Sequence, residues 1–259
     1  MYLTNTDRME IEAILLDVLG IDKYNSYSAD TSADDLLNYF EDQINFWENK
    51  HQLQVDFWFA SGASKVVIIS DNLDMVIKIP ISPYTGYGSC SYSYHSSSKW
   101  DYETNSFREL LFYPQSKEYG YDYCRLETEL YNLAKEAKLD AAFAEEIHYR
   151  MIGNIPIYLQ RKAESFDGVT EDAYYHRYQT LDNNTKEKYK TLEDKYYGSN
   201  CLPARTFNMA LLDYFGIDFL KDLFDFLEVN GIDDLTLNNL GKTAIEGAPV
   251  LIDYCGYRG

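Results

Sequence analysis

Three short β-rich runs near residues 54–81 constrain this chain most. Gln54–Phe59, Lys65–Ser70 and Met75–Ile81 are separated by Ser61-Gly62-Ala63-Ser64 and by Asp71-Asn72-Leu73-Asp74. Both separators have turn composition, so the runs predict an antiparallel meander. Helical periodicity flanks it. Ile11, Ile14, Leu15 and Val18 recur at helical spacing before Gly20. Thr31 and Ser32 can cap a second helix with Leu36, Phe40, Ile44 and Trp47 on one stripe. Downstream, Leu126, Leu130, Leu133 and Ala137 predict a helix, and Ile155–Gln160 a strand broken at Arg161–Glu164. A charged helix with Lys186, Lys188, Lys190, Glu193 and Lys195 is expected to be solvated on most faces. Pro203–Tyr214 and Asp218–Val229 predict two more helices. The second carries Leu220, Leu223, Phe224 and Leu227 on one face and is ended by Asn230-Gly231. Short strands are expected around Leu240 and at Val250–Ile252. The order implies an α+β protein with two lobes.

Composition narrows the function classes. At 259 residues and 46% hydrophobic, the chain can pack a core as one large domain or two lobes. Its 42 Asp+Glu against 23 Lys+Arg give a net charge of −19. Phosphate-backbone affinity needs clustered Lys/Arg, and none is present, so no direct nucleic-acid binding is expected. The acid surplus favours solubility, or an acidic surface that occupies a basic partner. The 25 Tyr supply apolar area with a polar tip, common where surfaces meet partners. No apolar run reaches the ~18 residues of a membrane span and the opening residues do not read as a signal peptide, so no membrane partner is expected. Cys90, Cys124, Cys201 and Cys255 are scattered, and His51, His95, His148 and His176 lack ligand spacing. A zinc or disulfide framework is not expected, and a reducing cytoplasm is the expected compartment. Ser82–Tyr123 is rich in Tyr and Ser, low in apolar periodicity, and reads as a long insertion.

Four segments have the chemistry of a nucleotide-phosphate site. Phe59–Val67 is a turn of small residues between strands, where backbone N–H groups can approach phosphate oxygens. Val76-Ile77-Lys78-Ile79 places one lysine in an apolar strand, opposite in direction to Ile77 and Ile79. Arg125-Leu126-Glu127-Thr128-Glu129-Leu130 offers two helix carboxylates; spacing to the following apolar residues favours Glu127, with Glu129 the alternative. Asp234-Leu235-Thr236-Leu237-Asn238-Asn239 fits D-L-x-x-x-N, and fourteen residues after Asn239 comes Asp253, in Asp253-Tyr254-Cys255.

In this order the segments resemble the protein kinase-like fold, and more narrowly the small kinase-like proteins encoded by bacteriophages. The resemblance covers roughly Phe57–Gly256, leaving the first fifty residues and the insertion outside it. It implies a helical extension at 1–50, an N-lobe-like antiparallel sheet plus helix at 51–163 with the insertion at 82–123, and a truncated helical C-lobe at 164–259. It implies ATP and Mg²⁺ as cofactors. Ser61, Gly62, Ala63 and Ser64 would cover the phosphates, Lys78 would hold them as a point charge, and Glu127 would pair with Lys78. Adenine would lie near Gln160 and Ala163. Asn239 and Asp253 would give Mg²⁺ hard oxygen ligands, and Asp234 would accept a proton from an attacking hydroxyl.

Departures from the family pattern bear on activity. Gly62 is the one glycine of its turn. Ile232 and Asp233 replace the histidine and arginine that usually precede the catalytic aspartate. Thr236 replaces a lysine, and Cys255 the glycine of the metal-binding triplet. A minimal C-terminal lobe lacking activation loop and peptide-docking helices is expected. Two functions follow: a small phosphotransferase, or a catalytically weak or inactive kinase-like interaction protein. The second would be a phage-type inhibitor that binds a basic host protein through its acidic or Tyr-rich surface.

Overall fold

Alternation along the strands explains the sheet they build. In β2 (Lys65–Ser70) Val66 and Ile68 are buried while Val67 and Ile69 are half-buried. In β3 (Met75–Pro80) Met75, Ile77 and Ile79 share the same buried face. The computed structural model describes residues 1–19, 57–61, 65–80, 98–101, 106–109, 123–152, 155–166, 171–197, 202–232, 235–244 and 246–254. The expected helix at Thr31–Trp47 and the turn residues Gly62, Ala63 and Ser64 lie outside them.

β1 (Phe57–Ser61), β2 and β3 form the expected antiparallel meander. Asp71–Asp74 makes the second turn, where Leu73 N–H donates to the Ser70 carbonyl. β7 (Ile155–Arg161) then joins β3, and β6 (Glu146–Ile152) joins β7, completing the order β1-β2-β3-β7-β6. Within the expected irregular insertion, β4 (Ser98–Asp101) and β5 (Ser106–Glu109) pair as a two-stranded ladder. The expectation missed it because the pattern is short and the surrounding composition is polar.

α1 (Asn5–Leu19) covers one face of the large sheet. Its start is a reciprocal capping box: Asp7 N–H donates to Thr4 Oγ1, and Thr4 N–H to Asp7 Oδ2. Ile11, Ile14 and Leu15 pack into one apolar cluster with Val66, Ile68, Met75, Ile77, Ile79, Ile157 and Leu159. Burying each such side chain contributes roughly 1.5–3 kcal/mol. Glu12 ties the helix to β6, accepting from Tyr149 Oη at 2.9 Å and from Arg150.

α2 (Tyr123–Glu136) follows the insertion. Cys124, Glu127, Leu130, Tyr131 and Ala134 form its buried stripe, whereas Leu133, expected on that face, is exposed. The chain divides into two units, Met1–Thr128 with Glu145–Arg161, and Glu129–Ala144 with Lys162–Gly259, the division falling inside α2.

The second unit holds a short 3₁₀ turn (Asp140–Ala142), helices α3 (Glu171–Thr180), α4 (Asn183–Lys195), α5 (Arg205–Phe215) and α6 (Ile217–Asn230), and a three-stranded sheet. In that sheet β9 (Leu240–Thr243) lies between β8 (Ala163–Ser165) and β10 (Pro249–Leu251). Leu220, Leu223, Phe224 and Leu227 of α6 are all buried, as their spacing predicts, and Gly231 ends the helix in the left-handed region. α4 is less solvated than its charge suggests, because Tyr189 and Leu192 are buried. Phe143 stacks edge-on against both Phe226 and Tyr254. Gly241 is needed where β9 meets β8: a Cβ there would lie 2.9 Å from both Ala163 Cβ and the Glu164 carbonyl oxygen. The fold is therefore α+β. No helix among the described residues is long and apolar enough to cross a membrane.

Candidate functional site

Period two in β3 sends Lys78 to the face opposite Ile77 and Ile79, away from the α1 cluster. That face is also closed, and Lys78 is 3% exposed. A buried ammonium needs anionic partners, because desolvation costs several kcal/mol per ion. Lys78 Nζ lies 2.8 Å from Glu127 Oε2 and 2.9 Å from Glu146 Oε2.

Glu127 is presented by the buried stripe of α2, one turn after Cys124 and one turn before Leu130 and Tyr131. Glu129 is exposed. The carboxylate that sequence spacing favoured is thus the one that meets the lysine. Its second oxygen is also engaged, since Lys65 Nζ lies 2.7 Å from Glu127 Oε1. Lys65 is itself 5% exposed.

Glu146 opens β6 and faces Gln160 of β7 across the ladder. Gln160 Nε2 donates to Glu146 Oε2 at 2.9 Å, so this one oxygen accepts both Gln160 and Lys78. Glu146 Oε1 is buried and has no hydrogen-bond partner. Burial first, and then neighbouring Glu127, push the Glu146 carboxyl well above the usual carboxylate range, against the pull of Lys78 and Lys65. For Lys78, burial acts downward, but Glu127 and Glu146 outweigh it and hold the ammonium above its ordinary range.

Ligand atoms of Cys124, Glu127 and Glu146 lie within 4.8 Å of one another, close enough to share a metal ion. Electrostatics argue against a cation there. Both carboxylates already hold ammoniums at 2.7–2.9 Å. Two unit charges of like sign about 4 Å apart repel by about 4 kcal/mol at an effective dielectric of ~20.

The other expected site residues divide between the units. Ser61 ends β1, paired in register with Val66. Gln160 has its side chain in the ion cluster, 3% exposed. Ala163 lies in β8, paired with Thr243. In the second unit, Asn239 ends a 3₁₀ turn (Leu237–Asn239), and its backbone carbonyl accepts Ile252 N–H at 2.9 Å and Asp253 N–H at 3.4 Å. The two expected Mg²⁺ ligands are therefore neighbours, both half-buried. Their donor set of amide oxygen and carboxylate suits a hard cation. Asp234 lies outside the described residues; Ile232 and Leu235 beside it are buried.

Sequence reasoning missed Lys65 and Glu146. Lys65 had an available signal, a charge in phase with half-buried Val67 and Ile69 of an apolar strand, whereas Glu146 shares its phase with exposed His148 and had none. Comparison with protein-family models, curated proteins and solved structures gives no match.

Proposed function

We propose that this protein is a kinase-like ATP- and Mg²⁺-binding protein with the two-lobed protein kinase-like fold, acting as a small phosphotransferase. The observation that carries the reading is the Lys78–Glu127 contact of 2.8 Å. It joins the third strand of a five-stranded antiparallel sheet to the helix preceding that sheet's last two strands. Protein kinases require this pair, a third-strand lysine oriented toward phosphate by a carboxylate of the following helix.

In this reading Lys78 contacts the α- and β-phosphates while Glu127 fixes its direction. The Ser61–Ser64 turn offers backbone N–H groups to phosphate oxygens. Asn239 and Asp253 hold Mg²⁺, which neutralises phosphate charge when bound. Asp234 accepts the proton of the attacking hydroxyl. The test is a thermal melt with and without MgATP. A ligand at 100 times its Kd stabilises by about 2.7 kcal/mol, a shift of several degrees. The shift should vanish in Lys78→Met and Asp253→Ala. No shift at millimolar MgATP in the unaltered protein overturns the reading.

The net charge of −19 favours a second reading, a weakly catalytic kinase-like frame that binds a basic protein. Its partner would be captured at low salt and released at high salt, since exposed charges are screened beyond about 10 Å at 0.1 M.

A further inference from the structure

Apolar residues run around the whole of α1. Ile11, Ile14 and Leu15 face the sheet and are buried. Met9, Ala13 and Leu16 stand at i, i+4 and i+7 on the opposite side. All three are exposed, Met9 at 74% and Leu16 at 51%. Scattered exposed apolar side chains are ordinary, but a helix with an apolar stripe on each side is built to pack on both. We propose that the outer stripe of α1 docks segment 32–47 of the same chain as an antiparallel amphipathic helix, completing a helical hairpin on the large sheet. The inference stands apart from the nucleotide reading, because α1 covers the sheet face opposite Lys78.

The sequence of 32–47 fits that face. Leu36, Phe40, Ile44 and Trp47 recur at i, i+4, i+8 and i+11, with Ala33 and Leu37 beside them. At about 100° per residue, Asp34, Asp35, Glu41 and Asp42 fall on the opposite side. Docking through the apolar stripe therefore turns all four acids toward solvent.

Chain length and end points set the direction. α1 has 15 residues and 32–47 has 16, so as helices they match in length at about 22 and 24 Å. The 12 residues of 20–31 join them. Extended, that linker reaches about 40 Å, well beyond the ~10 Å between packed helix axes. The other end is placed by β1. Phe57 pairs with Ser70, and Asn72, two residues further on, donates its side-chain amide to Glu10 Oε1 in the first half of α1. β1 therefore begins beside the N-terminal half of α1, where an antiparallel helix would end. The nine residues of 48–56 then close the path. A parallel helix would end at the wrong end of α1.

The test is amide hydrogen exchange of the full chain, read by mass spectrometry at two protein concentrations. Amides of 32–47 should be protected at both. Met9→Ser with Leu16→Ser changes exposed positions only, so β2 and β3 should stay protected. Protection of 32–47 should fall roughly tenfold or more, since burying one such side chain is worth more than a decade in local opening. Unprotected 32–47 amides in the unaltered protein overturn the proposal. Protection that survives the double substitution places the segment elsewhere and also overturns it. Protection seen only at the higher concentration, with a doubled mass in sedimentation, assigns the stripe to a second copy instead. Peroxide oxidation of the unaltered protein decides the case even where the variant folds poorly. A docked Met9 should react more slowly than Met151, which is 37% exposed, and faster reaction of Met9 overturns the docking.

Discussion

Glu146 and Gln160 stand directly opposite across the β6–β7 ladder, and the Gln160 amide donates to the same Glu146 oxygen that accepts Lys78. This pairing makes Glu146 the pH-sensitive member of the cluster. Its carboxyl is held well above the usual carboxylate range by burial and by Glu127. Unfolded, it loses its proton near pH ~4.3; folded, it keeps the proton to higher pH. Between those points the folded state binds more protons. Stability therefore falls as pH rises, by up to about 1.4 kcal/mol per unit, and levels off above the folded value. Glu146→Gln has no proton to lose. Urea unfolding from about pH 5 to 8 should show the variant gaining on the unaltered protein as pH rises. A variant less stable throughout, with no pH trend, would mean Glu146 is an ionised partner of Lys78.

Removing Glu127 is the opposite case. Glu127→Ala leaves Lys65 and Lys78 buried without the carboxylate they share. Breaking a buried pair by removing one partner costs roughly 3–5 kcal/mol. Exposed Glu129→Ala should stay within about 0.5 kcal/mol. Denaturant unfolding of the two variants, two residues apart on one helix, separates a buried anchor from a solvated face. Equal losses would remove Glu127 from its place at the centre of the cluster.

These contrasts mark where sequence was informative. Lys78 was legible through the resemblance of Val76–Ile79 to a third-strand motif, and Glu127 over Glu129 through its spacing to the following apolar residues. Lys65 and Glu146 were not, since Glu127 and Lys78 lie 62 and 68 residues from them and only the tertiary fold brings these groups together. β6 alternates Ile147, Tyr149 and Met151 with Glu146, His148 and Arg150, but its polar phase obscured the pattern. α3 buries no side chain, so it had no stripe to find. Asn239 and Asp253 were legible as a pair through motif spacing, and the Asn239 carbonyl now gives their proximity a physical basis.

Gly241→Ala probes the second unit independently of the lysine cluster. The added methyl would sit 2.9 Å from the Glu164 carbonyl oxygen and from Ala163 Cβ. Backbone oxygen cannot rotate away, so β8 and β9 must separate, at a cost of about 1–3 kcal/mol. Amide exchange should quicken along Ala163–Ser165 and Leu240–Thr243, and stay unchanged in β2 and β3. Unchanged exchange in β8 would mean the ladder relaxes without cost.

Turnover, where present, should separate binding from chemistry. Asp253→Ala removes a proposed Mg²⁺ ligand, so it should lose both the MgATP melting shift and phosphoryl transfer. Asp234→Ala should keep the shift, because the residue is assigned to the attacking hydroxyl and not to the nucleotide. Its rate should fall by about 10²–10⁴, the usual contribution of a positioned base. Transfer of radiolabelled γ-phosphate to water or to the chain itself measures the rate without knowledge of the acceptor. Equal loss of the melting shift in both variants would move Asp234 from proton acceptor to ligand contact. A full rate in Asp234→Ala would exclude it as the base, leaving deprotonation to another group or to solvent.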